Sequence, residues 1–240
     1  MKRLIAALLL LCMLAALTAC SAKKEGTKPP EDPKPSTAAT QPVPQKTEAP
    51  TQTEPTQEVE LSHGRIDGDA YVNESLNLRI AKPDGFTFYT EEQIAQQNGL
   101  TVERFKGSSV AEMIEKNGSM FDMVMASATG DNVNLVLQPL PAGMDFYSDG
   151  QVFDLMKAGY YQQFEAAGMS LSSYEIEKAN LFGEERDILH ITLNYLGSQV
   201  TEYQIMLREP GCADYGIITV SYVAPDSDVQ TMLDNFTRVH

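Results

Sequence analysis

Tryptophan is absent from this 240-residue sequence, and cysteine and histidine occur three times each. That scarcity limits the chemistry. A zinc centre needs several nitrogen or sulfur ligands, and histidines at 63, 190 and 240 form no His-Glu-x-x-His pattern, nor do the cysteines form Cys-x-x-Cys. Basic residues are in the minority, 18 Lys and Arg against 33 Asp and Glu, for a net charge of −15. Nucleic acid is therefore excluded as a partner, because phosphate contacts need clustered Lys and Arg. Aromatic residues are missing from residues 1–60, whereas residues 21–60 hold 8 of the 13 prolines. What remains, residues 61–240, holds every Tyr and Phe together with 26 acidic and 11 basic residues, again a net of −15. One globular domain is expected there. A chain of that size buries roughly 70% of its unfolded surface, so it needs neither disulfide nor metal to fold.

Lys2 and Arg3 precede Leu4–Ala16, an uncharged run of 13 residues. That run is too short for a spanning helix, which needs ~20 residues, and suits the apolar region of a secretory signal peptide. It ends Leu17-Thr18-Ala19-Cys20. This resembles the lipobox of bacterial lipoproteins, with Leu three before an obligatory Cys and small residues between. The resemblance implies that residues 1–19 are removed, that Cys20 is lipidated and becomes the N-terminus, and that the protein is held on the extracytoplasmic face of a bacterial cell membrane. Acyl chains contribute ~0.8 kcal/mol per buried CH₂, and two or three exceed the marginal hold of one. Without Lys2 and Arg3 the net charge is −17. Anionic headgroups repel such a domain, so it stands off the bilayer.

Residues 20–60 read as a disordered Pro/Thr-rich linker. Apart from small Ala, its aliphatic content is Val43 and Val59, too little to offset the entropy of ordering. A flexible coil of ~40 residues averages ~35 Å end to end, and a polyproline-like rod reaches ~120 Å.

The domain reads as α+β. Ala70–Asn73 and the alternating Leu76-Asn77-Leu78-Arg79-Ile80 are strands closed by Pro83-Asp84-Gly85. Thr90/Gln93, Ser109/Glu112, Ser148/Gln151 and Ser227/Gln230 are capping-box pairs, each opening a helix. Phe121–Ala128 and Val133–Leu137 flank a turn. The helix after Ser148 runs to about Ala167, with Val152, Phe153, Met156, Tyr160 and Phe164 as its apolar stripe. Four strands follow, Ser172–Lys178, Ile188–Tyr195, Val200–Leu207 and Gly216–Val223, with short connections that make neighbours antiparallel. Val229, Met232, Leu233, Phe236 and Val239 mark a final helix.

With Tyr71-x-Asn73, the strand through Ile80, Pro83-x-Gly85-Phe86 and the strand run closed by the Val229–Val239 helix, most of residues 65–240 resembles the PsbP-like fold. The resemblance implies an antiparallel sheet of about six strands sandwiched by helices. It also implies a non-catalytic binding or assembly module with no shared catalytic residues to carry over.

Candidate chemistry is sparse. His190 lies on a strand whose Leu189, Ile191 and Leu193 face the other way. No Gly-x-Ser-x-Gly elbow accompanies it. His63 sits at the linker boundary and His240 at the end. Cys212 follows Pro210-Gly211 in a turn and has no partner once Cys12 is removed and Cys20 acylated. Its acidic neighbours Glu209 and Asp214 oppose an activated thiolate. Asp67-Gly68-Asp69, Asp131-Asn132 with Asn134, and Asp226-Ser227-Asp228 offer oxygens to calcium without an EF-hand ladder; turn and cap roles explain them. Met120, Met123 and Met125 read as core. Tyr160-Tyr161 and Phe146-Tyr147 are aromatic pairs able to line a groove. The expectation is a lipid-anchored binding module for an envelope protein or component, with no cofactor, no metal and no catalysis. The alternatives are a small-ligand or calcium sensor, or an envelope hydrolase or thiol enzyme using His190 or Cys212.

Overall fold

The structure, a computed structural model, describes residues 60–240 apart from 196, 211 and 224–227. The expected signal peptide, the expected linker up to residue 59, Cys20 and the expected Ser227 cap lie outside the described residues.

Eleven strands and five helices are described. A small sheet runs β1 (Arg65–Asp67), β2 (Ala70–Asn73), β3 (Leu78–Ala81), β11 (Phe236–Thr237). A seven-stranded sheet has the order β4 (Phe86–Phe88), β5 (Met120–Ser127), β6 (Asn132–Pro139), β10 (Asp214–Tyr222), β9 (Ser198–Leu207), β8 (Glu184–Tyr195), β7 (Ser170–Leu181). All pairings are antiparallel. The helices are α1 (Glu91–Gln97), α2 (Val102–Gly107), α3 (Val110–Asn117), α4 (Asp149–Ala166) and α5 (Val229–Leu233). The class is thus α+β around an antiparallel sheet.

Local chemistry sets the helix starts. Thr90, Ser109 and Ser148 each accept from the backbone three residues on, and Gln93, Glu112 and Gln151 return the bond. Each cap contributes about 1 kcal/mol. α3 stops at Gly118, whose left-handed φ of 79° closes the last turn.

Alternation along the strands divides the core in two. On β10, Ile218, Val220 and Tyr222 join one cluster, while Tyr215 and Ile217 join the other. The second cluster is filled by Val152, Phe153, Tyr160 and Phe164 of α4 against Leu189, Ile191, Leu193 and Met206. The first takes Tyr71, Leu78, Ile80 and Phe236 from the small sheet, together with residues of α1, α2, α3 and α5. So α4 covers one face of the large sheet, and the other meets a second sheet as well as helices. β4 occupies the outer edge of β5, which leaves the opening hairpin to bury its apolar side against the first cluster.

Three expected bounds change. The final helix ends at Leu233, not Val239. Asn235 Nδ2 bonds back to the carbonyls of Thr231 and Met232, and Phe236 then pairs with Ile80 on the free edge of β3. The large sheet has seven strands, because the three residues of β4 extend it. β7 and β8 are also longer than expected. They are joined by the two-residue turn Phe182-Gly183, both at positive φ (58° and 81°), the conformation of a type I′ hairpin turn.

The start of α4 is tied to the sheet by charge. Arg208 Nη2 lies 2.5 Å from Asp149 Oδ1, and Arg186 Nη2 lies 3.5 Å from Oδ2. The Gly150 N–H donates to Asp187 Oδ2 at 3.2 Å. Among the described residues no helix is long and apolar enough to cross a membrane.

Candidate functional site

The densest polar cluster centres on Asp122, which the sequence reading passed over. It is the extra residue of a bulge in β5, between Phe121 and Met123, and its side chain is 1% exposed. Four donors reach it. His63 Nδ1 meets Oδ1 at 2.9 Å. At Oδ2 the Gly64 N–H donates at 2.8 Å, Asn73 Nδ2 at 3.2 Å, and the Tyr71 hydroxyl makes a short bond. A carboxylate has about four acceptor positions, so this one is saturated. The cluster joins the first described segment, the opening hairpin and the large sheet.

His63 is therefore more than a boundary residue. Its Nε2 bonds the Ser108 carbonyl at 3.2 Å, and its ring lies 4.9 Å from that of Phe105. Burial lowers its affinity for a proton, but the bond to Asp122, the charge of Asp122 and the Ser108 carbonyl outweigh this and raise its pKa above 6.5. Tyr71 is held well above its ordinary value of 10, by burial first and by Asp122 second. Gly64 is required by close approach: a methyl group there would overlap the Tyr71 ring. Beside this cluster is a cavity of about 340 Å³ lined in part by Arg65, Ile66, Tyr89, Glu91 and Phe105. A saturated carboxylate and an un-ionised, buried phenol offer it neither a base nor a nucleophile. One signal for the site was legible: a lone Asp within Phe121-Asp122-Met123-Val124-Met125, since a charge in an apolar strand must be paired.

His190 faces away from α4, as the alternation implied. Its Nδ1 lies 2.7 Å from Glu177 Oε1, and its ring stacks on Tyr203 with centroids 4.5 Å apart and planes 21° from parallel. Cys212 is half-buried against the first cluster. Burial pushes its thiol above the ordinary value, and Glu209 and Asp214 add to the effect. A thiolate nucleophile requires the opposite shift.

Of the calcium candidates, Asp69, Asp131 and Asp228 are engaged elsewhere. Asp69 pairs with Lys82 at 2.9 Å. Asp131 accepts from the Thr129 hydroxyl and the Val223 N–H. Asn132 and Asn134 are 2% and 1% exposed, in a polar row with Ser221, Thr219 and Gln204 across β6, β10 and β9. Asp228 caps α5 by accepting from Gln230 N–H at 2.9 Å; Asp226 and Ser227 lie outside the described residues. Met120, Met123 and Met125 are buried in the core. The Met120 side chain shares their face because the bulge shifts the register.

The aromatic pairs separate. Tyr160 is buried, with its hydroxyl 2.5 Å from Gln204 Oε1, while Tyr161 is exposed. Phe146 is 87% exposed, next to Tyr147. Their loop is held: Arg208 donates to the carbonyls of Met144 at 3.3 Å and Tyr147 at 2.9 Å.

No family model matches the chain, and no curated protein matches its sequence. Among solved structures it is similar to the solution structure of cyanobacterial PsbP from Synechocystis sp. PCC 6803, at 12% identity and a TM-score of 0.40, over 79% of this chain and 98% of that one. A likeness this distant carries no argument about function.

Proposed function

We propose that this chain is a membrane-anchored, extracytoplasmic lipoprotein whose domain is a non-catalytic binding or assembly module for an envelope protein. The anchor rests on the sequence: Lys2-Arg3, the apolar run and Leu17-Thr18-Ala19-Cys20 in that order. The observation that carries the binding reading is Phe146. Leaving a phenyl side chain in water forgoes about 2 kcal/mol of burial. Yet the loop that displays it is fixed at both ends by Arg208 and followed by α4, whose outer side carries exposed Leu155 and Tyr161. Exposed aromatic and aliphatic side chains on a held backbone are what interfaces use as anchors. Two features favour binding over catalysis: the Asp122 carboxylate occupied by four donors and the raised Cys212 thiol. A membrane tether raises the effective concentration of such a module toward partners on the same surface.

The test has two arms. Cell fractionation should find the wild-type chain in the membrane and Cys20→Ser released from it; a Cys20→Ser chain that stays bound would sink the anchor. In-cell crosslinking and pull-down from native membranes should give one dominant protein, lost in Phe146→Ala. A partner unaffected by that change, or no enriched protein from a folded domain, would overturn the binding reading.

A further inference from the structure

We infer that Glu175, Glu177 and His190 form a site for a divalent transition-metal ion of the Zn²⁺ type, on the face of the β7–β8 hairpin turned away from α4. The hairpin fixes their relation. The turn at Phe182-Gly183 sets the register in which Glu175 stands directly opposite His190, with Glu177 at the diagonal position on the same face. One ligand atom from each of the three lies within 4.8 Å of the others. They stand on two twelve-residue strands, which hold a site more firmly than a loop does. His190 cannot swing freely, because its ring is stacked on Tyr203 with Nδ1 turned to Glu177.

One imidazole nitrogen and two carboxylates are a borderline donor set, suited to Zn²⁺ more than to Ca²⁺ or Mg²⁺, which prefer all-oxygen shells. Three protein ligands leave a tetrahedral ion one open position, for water or for a group from a partner. Two donors on one tetrahedral zinc stand ~3.4 Å apart at ordinary bond lengths, so His190 and Glu177 must separate slightly from 2.7 Å. Glu177 has the freedom, its side chain being 42% exposed. The surrounding field favours a cation. The whole chain carries −15. The site is independent of the proposed anchor and of the Phe146 surface.

The untagged full chain in detergent, stripped with EDTA, is titrated calorimetrically with Zn²⁺ and then spectroscopically with Co²⁺. One saturable equivalent is expected, with the visible absorption of low-coordinate Co²⁺. His190→Ala and Glu177→Gln should each weaken it at least tenfold, and His240→Ala should leave it unchanged. Glu175→Gln and Glu177→Gln change exposed or half-exposed side chains and decide the matter if His190→Ala fails to fold. Absence of saturable binding up to millimolar Zn²⁺, or binding unchanged in folded Glu175→Gln and Glu177→Gln, overturns the inference.

Discussion

Asp122→Ala is the sharpest perturbation of this fold. It removes one acceptor group and strands four donors. They are not equal. His63 keeps 27% of its side chain in water and recovers a partner there. Asn73 Nδ2 keeps the Ser62 carbonyl at 2.9 Å. The Tyr71 hydroxyl, in a residue 1% exposed, loses what cannot be replaced, and the half-buried Gly64 N–H loses its 2.8 Å bond to Oδ2. Each buried donor left unsatisfied costs about 1–3 kcal/mol, so the expected loss is about 3–5 kcal/mol. That is a large share of a typical total of 5–15 kcal/mol. Tyr71→Phe removes one donor and keeps the ring, and should cost about 1–2 kcal/mol. In Asp122→Ala a second loss in Tyr71→Phe should largely vanish, since the bond is already gone. Urea unfolding followed by circular dichroism reads these differences as midpoint shifts at constant slope. A folded Asp122→Ala within 0.5 kcal/mol of wild type would refute the reasoning, and so would full additivity with Tyr71→Phe.

Three further outcomes follow from the same geometry. Because the folded-state pKa of His63 is raised, its stabilising contribution is fully present below about 6.5, its unfolded value, and is lost as pH rises through the folded value. Thermal melts should therefore show wild type losing stability relative to His63→Gln over that interval; a constant difference, or one that grows with pH, would contradict the Asp122 pairing. Gly64→Ala should destabilise by about 2 kcal/mol or more through overlap with the Tyr71 ring, and a midpoint equal to wild type in urea would show that the segment does not pack as described. Cys212 should alkylate with iodoacetamide at pH 7.5 several-fold more slowly than a free thiol, and speed up in denaturant; a native rate above that of free cysteine would revive the thiol-enzyme reading.

Much of this protein was legible in one dimension because the signals are local. A capping box closes between residues three apart, so Thr90, Ser109 and Ser148 announced their helices unaided. Strand alternation on β8 placed Leu189, Ile191 and Leu193 opposite His190, and the stripe on α4 named Phe153, Tyr160 and Phe164 as core. Tertiary structure decided what depends on pairing. β1, β4 and β11 have two or three residues each, too few to carry a period; they are strands because an edge was open to them. Phe236, apolar and in phase with a helix, went to the edge of β3 instead. Asp122 meets His63, Gly64, Tyr71 and Asn73 across 49 to 59 residues of chain, and no local pattern encodes that meeting. Glu175 and His190 lie between these cases. Their facing positions follow from the Phe182-Gly183 turn once it is known to be the turn, and a register, unlike a cap, is fixed by the whole hairpin.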